Sequence, residues 1–216
     1  MITLSYSSIS NLYDHPHYWL NRQMGVKMPE WDFFNAGKEA HRIVQDHVSG
    51  VIRDPRLSFF VYSFPLVETV DFDPKMNFRI KIDEEFDVQG YIDGLNIGTS
   101  QSLEIKTGAP WSMTKFQKSF QRKVYSLLLP EIKEQLLLSI SANPDEWNSS
   151  TSKVFSASPT KTDRDEAMEW IKGGIKIFKE GDFYRDLVKH EDGSWHCEDP
   201  RCLYGDKCFF KHGTNL

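Results

Sequence analysis

Gly90-Tyr91-Ile92-Asp93 and, a short loop later, Leu103-Glu104-Ile105-Lys106-Thr107-Gly108 decide how this chain is read. In an extended strand the side chains at i and i+2 share one face, so Glu104 and Lys106 project together. Leu103 and Ile105 then turn the other way, toward a buried layer. The polar run from Gly98 to Ser102 separates the two segments, and Thr107-Gly108-Ala109-Pro110 stops the second. Asp93 and Glu104 therefore lie on or beside neighbouring strands.

Upstream, Phe59 to Phe72, Phe78 to Ile82 and Phe86 to Ile92 are rich in β-branched and aromatic residues. Asp83-Glu84-Glu85 supplies a turn, and the whole predicts an antiparallel meander. Before it, Gly37 to Val48 places Ala40, Ile43, Val44 and Val48 at helical spacing, with His41 beside that apolar stripe. The opening Ser7 to Tyr13 reads as a capped helix start, which Pro16 breaks before Tyr18-Trp19-Leu20. Downstream, Trp111 to Leu129 returns to helical spacing and ends before Pro130. Gln135 to Ala142 and Lys153 to Ala157 read as two strands, and Asp163 to Lys179 as an amphipathic helix capped by Asp163.

The 216 residues suffice for one main domain with an appendage and for a core without disulfide staples. No apolar run approaches the roughly 18 residues of a membrane span, and the N-terminus lacks a secretory pattern. An intracellular setting without a membrane partner is the expectation. All three cysteines lie in the last twenty residues, which suits a local metal site in a reducing compartment. The net charge of -5 argues mildly against nucleic-acid binding. Its distribution argues the other way, because between Gln101 and Pro130 five basic residues face the single acid Glu104.

Hard divalent cations favour carboxylate, carbonyl and water oxygens, and two carboxylates on adjacent strands can share one ion. Asp93 and Glu104 are that pair, with the Lys106 ammonium beside them. Such a set suits hydrolysis of a phosphodiester by an activated water, with Lys106 orienting the water or stabilising the charged transition state. Gln121 and Tyr125 lie one helical turn apart and face the same way. Lys118 and Arg122, near that face, are candidates for charge contacts to phosphates.

Gly37-x-x-x-His41, Gly90-Tyr91-Ile92-Asp93, Glu104-Ile105-Lys106, Thr107-Gly108 and Gln121-x-x-x-Tyr125 occur in an order that resembles the RecB-like branch of the PD-(D/E)XK nucleases. The resemblance runs from about Ser5 to Lys179. It implies an α/β, restriction-endonuclease-like core: a small mixed sheet flanked by helices, with the metal site at one sheet edge. It further implies Mg²⁺ or Mn²⁺ held by Asp93, Glu104, His41 and the backbone carbonyl of Ile105, and catalytic roles for Lys106, Gln121 and Tyr125. The implied activity is DNA cleavage, as an exonuclease in recombination, repair or phage DNA processing. A helicase or recombination partner and the cytoplasm of a bacterial or phage-infected host follow from the same resemblance.

The tail Cys197-x4-Cys202-x5-Cys208-x3-His212 offers three thiolates and an imidazole, a set that suits tetrahedral Zn²⁺. It is similar to the second half of CCCH zinc fingers, apart from a short first gap. That similarity implies single-stranded RNA stacked on Tyr204, Phe209 or Phe210, and a zinc staple is the alternative. Several RecB-like nucleases instead carry an iron–sulfur cluster on one early and three late cysteines. Here the early Asp14-His15-Pro16 stretch has His15 where they show cysteine, so zinc is the simpler expectation. The expected division is a nuclease domain over 1–180, a linker over 181–195 and a zinc knuckle over 196–216. A non-catalytic nucleic-acid-binding protein, with the finger as its working part, is the alternative function.

Overall fold

The computed structural model describes residues 1–29, 32–62, 64, 76–184, 186–192, 194–199 and 202–211. Strand β1 (Ile2–Ser5) runs into helix α1 (Tyr6–Asp14), and α2 (His17–Gln23) follows directly. Ser5 caps α1 by accepting from the Ser8 amide, two residues earlier than the sequence suggests. Helix α3 is Asp32–Ser49. The hairpin β2 (Met76–Lys81) and β3 (Phe86–Ile92) comes next, with the Asp83 carboxylate taking the Glu85 and Phe86 amides at the turn.

Strand β3 then bends at Asp93 and leaves its sheet. The next residues form β4 (Gly94–Asn96), which pairs antiparallel with β5 (Gln101–Thr107). The chain thus builds two mixed sheets, β1-β3-β2 and β4-β5-β6-β7, and Asp93 stands where they part. Strand β1 joins β3 in parallel, β6 (Glu134–Ile140) joins β5 in parallel, and β7 (Lys153–Ala157) closes the second sheet antiparallel to β6.

Between the sheets and their helices lie two apolar layers. Helix α3 packs Ala40, Val44 and Val48 against Leu103, Ile105, Leu136 and Leu138 of the second sheet. On the other side, Val124 and Tyr125 of α5 (Phe120–Leu128) and Ala167 and Ile171 of α6 (Lys161–Glu180) meet Phe86, Val88 and Ile92 of the first. The alternation expected along β5 is therefore observed, with Leu103 and Ile105 in the α3 layer. Gly90 lets α5 approach β3, because a Cβ there would sit 2.5 Å from Leu128 Cδ1 and 3.0 Å from Tyr125 Cε1.

Three elements differ from the sequence reading. Phe59 to Tyr62 is turn and irregular backbone rather than strand, and most of the remainder of that expected strand lies outside the described residues. The helix expected from Trp111 to Leu129 is two helices, α4 (Met113–Lys118) and α5, because Ser119 takes an extended conformation between them. Asp163 is the third residue of a capping box, whose cap is Thr160. Among the described residues no helix is long and apolar enough to cross a membrane.

Candidate functional site

The bend that separates the sheets aims Asp93 at β5. Its Oδ2 accepts the Ile105 amide at 2.7 Å, and His41 Nε2 of α3 stands 3.1 Å from the same oxygen. The N–H and C=O of one strand residue leave the same edge, so the Ile105 carbonyl faces the Asp93 side as well. Two opposing effects act on His41. Burial lowers its pKa, but the hydrogen bond and charge of Asp93, with Glu104 adding to them, leave it above the ordinary imidazole value.

Glu104 and Lys106 rise from the opposite face of β5 to Ile105. Lys106 Nζ lies 2.6 Å from Glu104 Oε1 and donates to Gln121 Oε1 at 2.7 Å. Gln121 Nε2 donates to Glu104 Oε1 at 2.7 Å and stands 3.0 Å from the Tyr125 hydroxyl, which in turn donates to the Tyr91 carbonyl. Gln121 thus bridges the acid, the ammonium and a buried tyrosine. The second Glu104 oxygen, Oε2, is buried with no hydrogen-bond partner. Burial and the neighbouring Asp93 charge push the Glu104 carboxyl up to about 7, against the pull of Lys106. An unpartnered carboxylate oxygen beside a second carboxylate is costly in a bare protein and well matched to a cation.

The structure brings His41, Asp93, Glu104, Ile105, Lys106, Gln121 and Tyr125 into one constellation, as their order in the sequence suggests. Trp111 was missed. It stands beside this constellation with the Lys106 and Lys115 ammonium groups 5.8 and 4.4 Å from its ring, and the sequence placed it only at the head of a helix.

Three of the expected phosphate or base contacts are corrected. Arg122 is buried, paired with Asp163 and 3.3 Å from Gln135 Oε1, because α5 turns it inward toward α6. Tyr204 is 5 % exposed and packs edge-on against Tyr18 at 5.3 Å, and Phe210 is fully buried. Neither ring offers a face for stacking. Lys118 is exposed, and Phe209 is partly so, with its amide bound to Asn21 Oδ1 at 2.7 Å.

The tail forms a candidate metal centre, with a change of ligand. Cys197, Cys202, Cys208 and His17 are all buried, and their ligand atoms lie within 4.8 Å of one another. His212 lies outside the described residues, and His17, which opens α2, fills the fourth place. His17 Nδ1 is bound by Asp186, which leaves Nε2 facing Cys197 Sγ at 3.5 Å and Cys202 Sγ at 3.8 Å. A Zn–S bond of about 2.3 Å gives a tetrahedral edge of about 3.8 Å, so the spacing fits one ion. A four-iron cluster would hold its ligand atoms much farther apart. Hydrogen bonds from Cys208 and His17 hold the Cys202 thiol well below the usual range, the direction that favours a thiolate ligand. Asn21 Nδ2 donates to Cys208 Sγ at 3.3 Å.

The tail packs against α2. Tyr18, Leu20 and Val26 pack into one cluster with Tyr184, Leu187, Trp195 and the cysteines. The stretch expected as a linker supplies Tyr184, Leu187 and the pair β8 (Val188–Lys189) and β9 (Trp195–His196).

No family model matches the chain, and no curated protein does. A solved structure described as "Crystal structure of SSO0001" is similar, with a TM-score of 0.50 and 11% identity over 81% of this chain and 76% of that one. At that identity the likeness shows a shared mixed α/β fold and carries no activity with it.

Proposed function

We propose that the chain is a divalent-metal-dependent nuclease of the PD-(D/E)XK class, built on a restriction-endonuclease-like core, that hydrolyses phosphodiester bonds in DNA. The observation that carries this reading is Asp93, at the bend after β3, bound to the Ile105 amide of β5 and acting by its charge on Glu104, with Lys106 beside Glu104 and one buried Glu104 oxygen left without a partner. Mg²⁺ or Mn²⁺ bound by Asp93, Glu104, His41 and the Ile105 carbonyl supplies Lewis acidity toward a phosphoryl oxygen and lowers the pKa of a water.

The chain's own groups do the rest. Lys106, partly exposed, presents an ammonium to the charge that develops on the phosphoryl oxygens or to the attacking water. Gln121 holds Glu104 and Lys106 at fixed separation, and Tyr125, anchored on the Tyr91 carbonyl, holds Gln121. Exonuclease action in recombination, repair or phage DNA processing, in the company of a helicase or recombination partner, rests on the family resemblance. The alternative in which the tail is the working nucleic-acid binder loses support from the burial of Tyr204 and Phe210.

Labelled linear and covalently closed circular DNA, incubated with Mg²⁺ or Mn²⁺, tests this reading. The expected result is loss of the linear substrate by the wild type and none by Glu104→Gln. Degradation by both proteins, or by neither on DNA and RNA alike, would overturn it.

A further inference from the structure

Residues of helix α2 lie beside those of β1 and β3 that point away from the α1 and α5 layer. Two adjoining cavities lie there, of about 330 and 240 Å³, and both are lined by Ser8, Trp19 and Arg22. One reaches Tyr18 and Tyr204 at the metal centre. The other reaches Gln89 and Tyr91 on β3, and Tyr91 lies two residues before Asp93. The two cavities share three lining residues and together extend from Tyr204, beside the metal centre, to Tyr91 on β3.

The lining has a definite chemistry. Among the described residues no carboxylate lines either cavity, although the chain carries 31 acids against 26 Lys and Arg. Arg22 is exposed, and among the described residues no carboxylate pairs with its guanidinium. Asp87, on the same face of β3, is buried beneath Arg79, which also reaches Gln89 Oε1 at 3.3 Å. Trp19 is half-buried and Tyr91 is 42% exposed, so two aromatic rings stand among hydroxyl and amide groups. A guanidinium for phosphate, aromatic rings for bases and amides for base edges make up a single-strand site rather than a duplex site.

We propose that this groove binds a single-stranded nucleic acid, with a phosphate on Arg22 and bases against Trp19 and Tyr91, and leads it to Asp93. The inference names the substrate class of the site above and rests on that reading for the strand's destination, while the binding itself does not. It also replaces Arg122 and Tyr204 as the chain's nucleic-acid contacts.

Fluorescence anisotropy of a short labelled single-stranded DNA, on the zinc-loaded full chain without added Mg²⁺ or Mn²⁺, tests it. Arg22→Ala is expected to weaken binding several-fold and to lower the salt slope by about one. Tyr91→Ala is expected to weaken it by about five-fold or more. Lys153→Ala, on the exposed edge strand β7, is expected to bind as wild type. An RNA competitor distinguishes the sugar, since equal competition assigns the groove to single strands of either kind and weak competition to DNA. Wild-type affinity in both Arg22→Ala and Tyr91→Ala, or a duplex bound as tightly as the single strand, would overturn the proposal. Arg22-dependent binding by a protein that cleaves nothing would sink the nuclease reading and leave the groove standing. Cleavage by a protein whose binding ignores Arg22 and Tyr91 would do the reverse.

Discussion

Gln121 accepts from Lys106 through its amide oxygen and donates to Glu104 through its nitrogen, so one side chain sets the distance between acid and ammonium. Gln121→Ala removes both bonds without replacing a proposed metal ligand, and a cost of about 10- to 100-fold in cleavage is expected, as for other groups that orient ligands. Lys106→Met, which removes the charge, is expected to cost about 10²- to 10³-fold in single-turnover cleavage at unchanged DNA affinity. A Lys106→Met variant as fast as wild type would remove the ammonium from the chemistry. The facing of Glu104 and Lys106 was legible in the sequence, because strand alternation between Leu103 and Ile105 leaves no other choice. The role of His17 was not. Its ligand partners lie about 180 residues away, and no local spacing connects an α2 residue to a C-terminal cysteine. The sequence drew attention to the neighbouring His15, whose Nδ1 is 3.8 Å from Asp186 and whose ring stacks on Tyr18 instead.

Helix α5 reaches the site because β3 lacks a side chain beneath it. Gly90→Ala forces a methyl group into Leu128 and Tyr125, with an expected loss of about 1–3 kcal/mol from overpacking and a displaced Tyr125 hydroxyl. Urea unfolding together with the cleavage rate measures both, and a variant unchanged in each would contradict the packing described. The contact of α5 with α6 depends on Arg122 and Asp163, a pair almost wholly withdrawn from water. Burial alone raises the Asp163 carboxyl, yet Arg122 and the Thr160 cap hold it below its ordinary value. A depressed carboxyl stabilises the fold above its unfolded pKa of about 3.9, and that stability is lost as pH falls below it. Asp163→Asn strands a buried guanidinium, so a loss of about 3–5 kcal/mol at neutral pH is expected, with a weaker acid dependence than wild type. Equal stability of the two proteins at pH 7 would refute the pair's role. The sequence showed the spacing of Arg122 on α5 but not its direction, because the break at Ser119 rotates α5 relative to α4.

Across the whole molecule, the two mixed sheets part at Asp93 and the C-terminal tail closes back on α2. The order of helices and strands could be read from periodicity, whereas strand β1, the split into two sheets and the return of the tail depend on tertiary pairing. One consequence is that the tail centre stabilises the N-terminal helices. Cys202→Ala is expected to lose bound zinc and to lower the melting temperature of the chain, while Asp93→Asn keeps its zinc, as metal analysis and calorimetry would show. Zinc retained in Cys202→Ala would refute the four-residue centre. The central claim is that Asp93 and Glu104 hold a hard divalent ion separate from that centre. Electron paramagnetic resonance of Mn²⁺ titrated into the zinc-loaded protein tests it without any assumption about substrate. One Mn²⁺ bound per chain, lost in both Asp93→Asn and Glu104→Gln with zinc content unchanged, is the predicted result. No bound Mn²⁺ in the wild type, or binding that survives both substitutions, would contradict it.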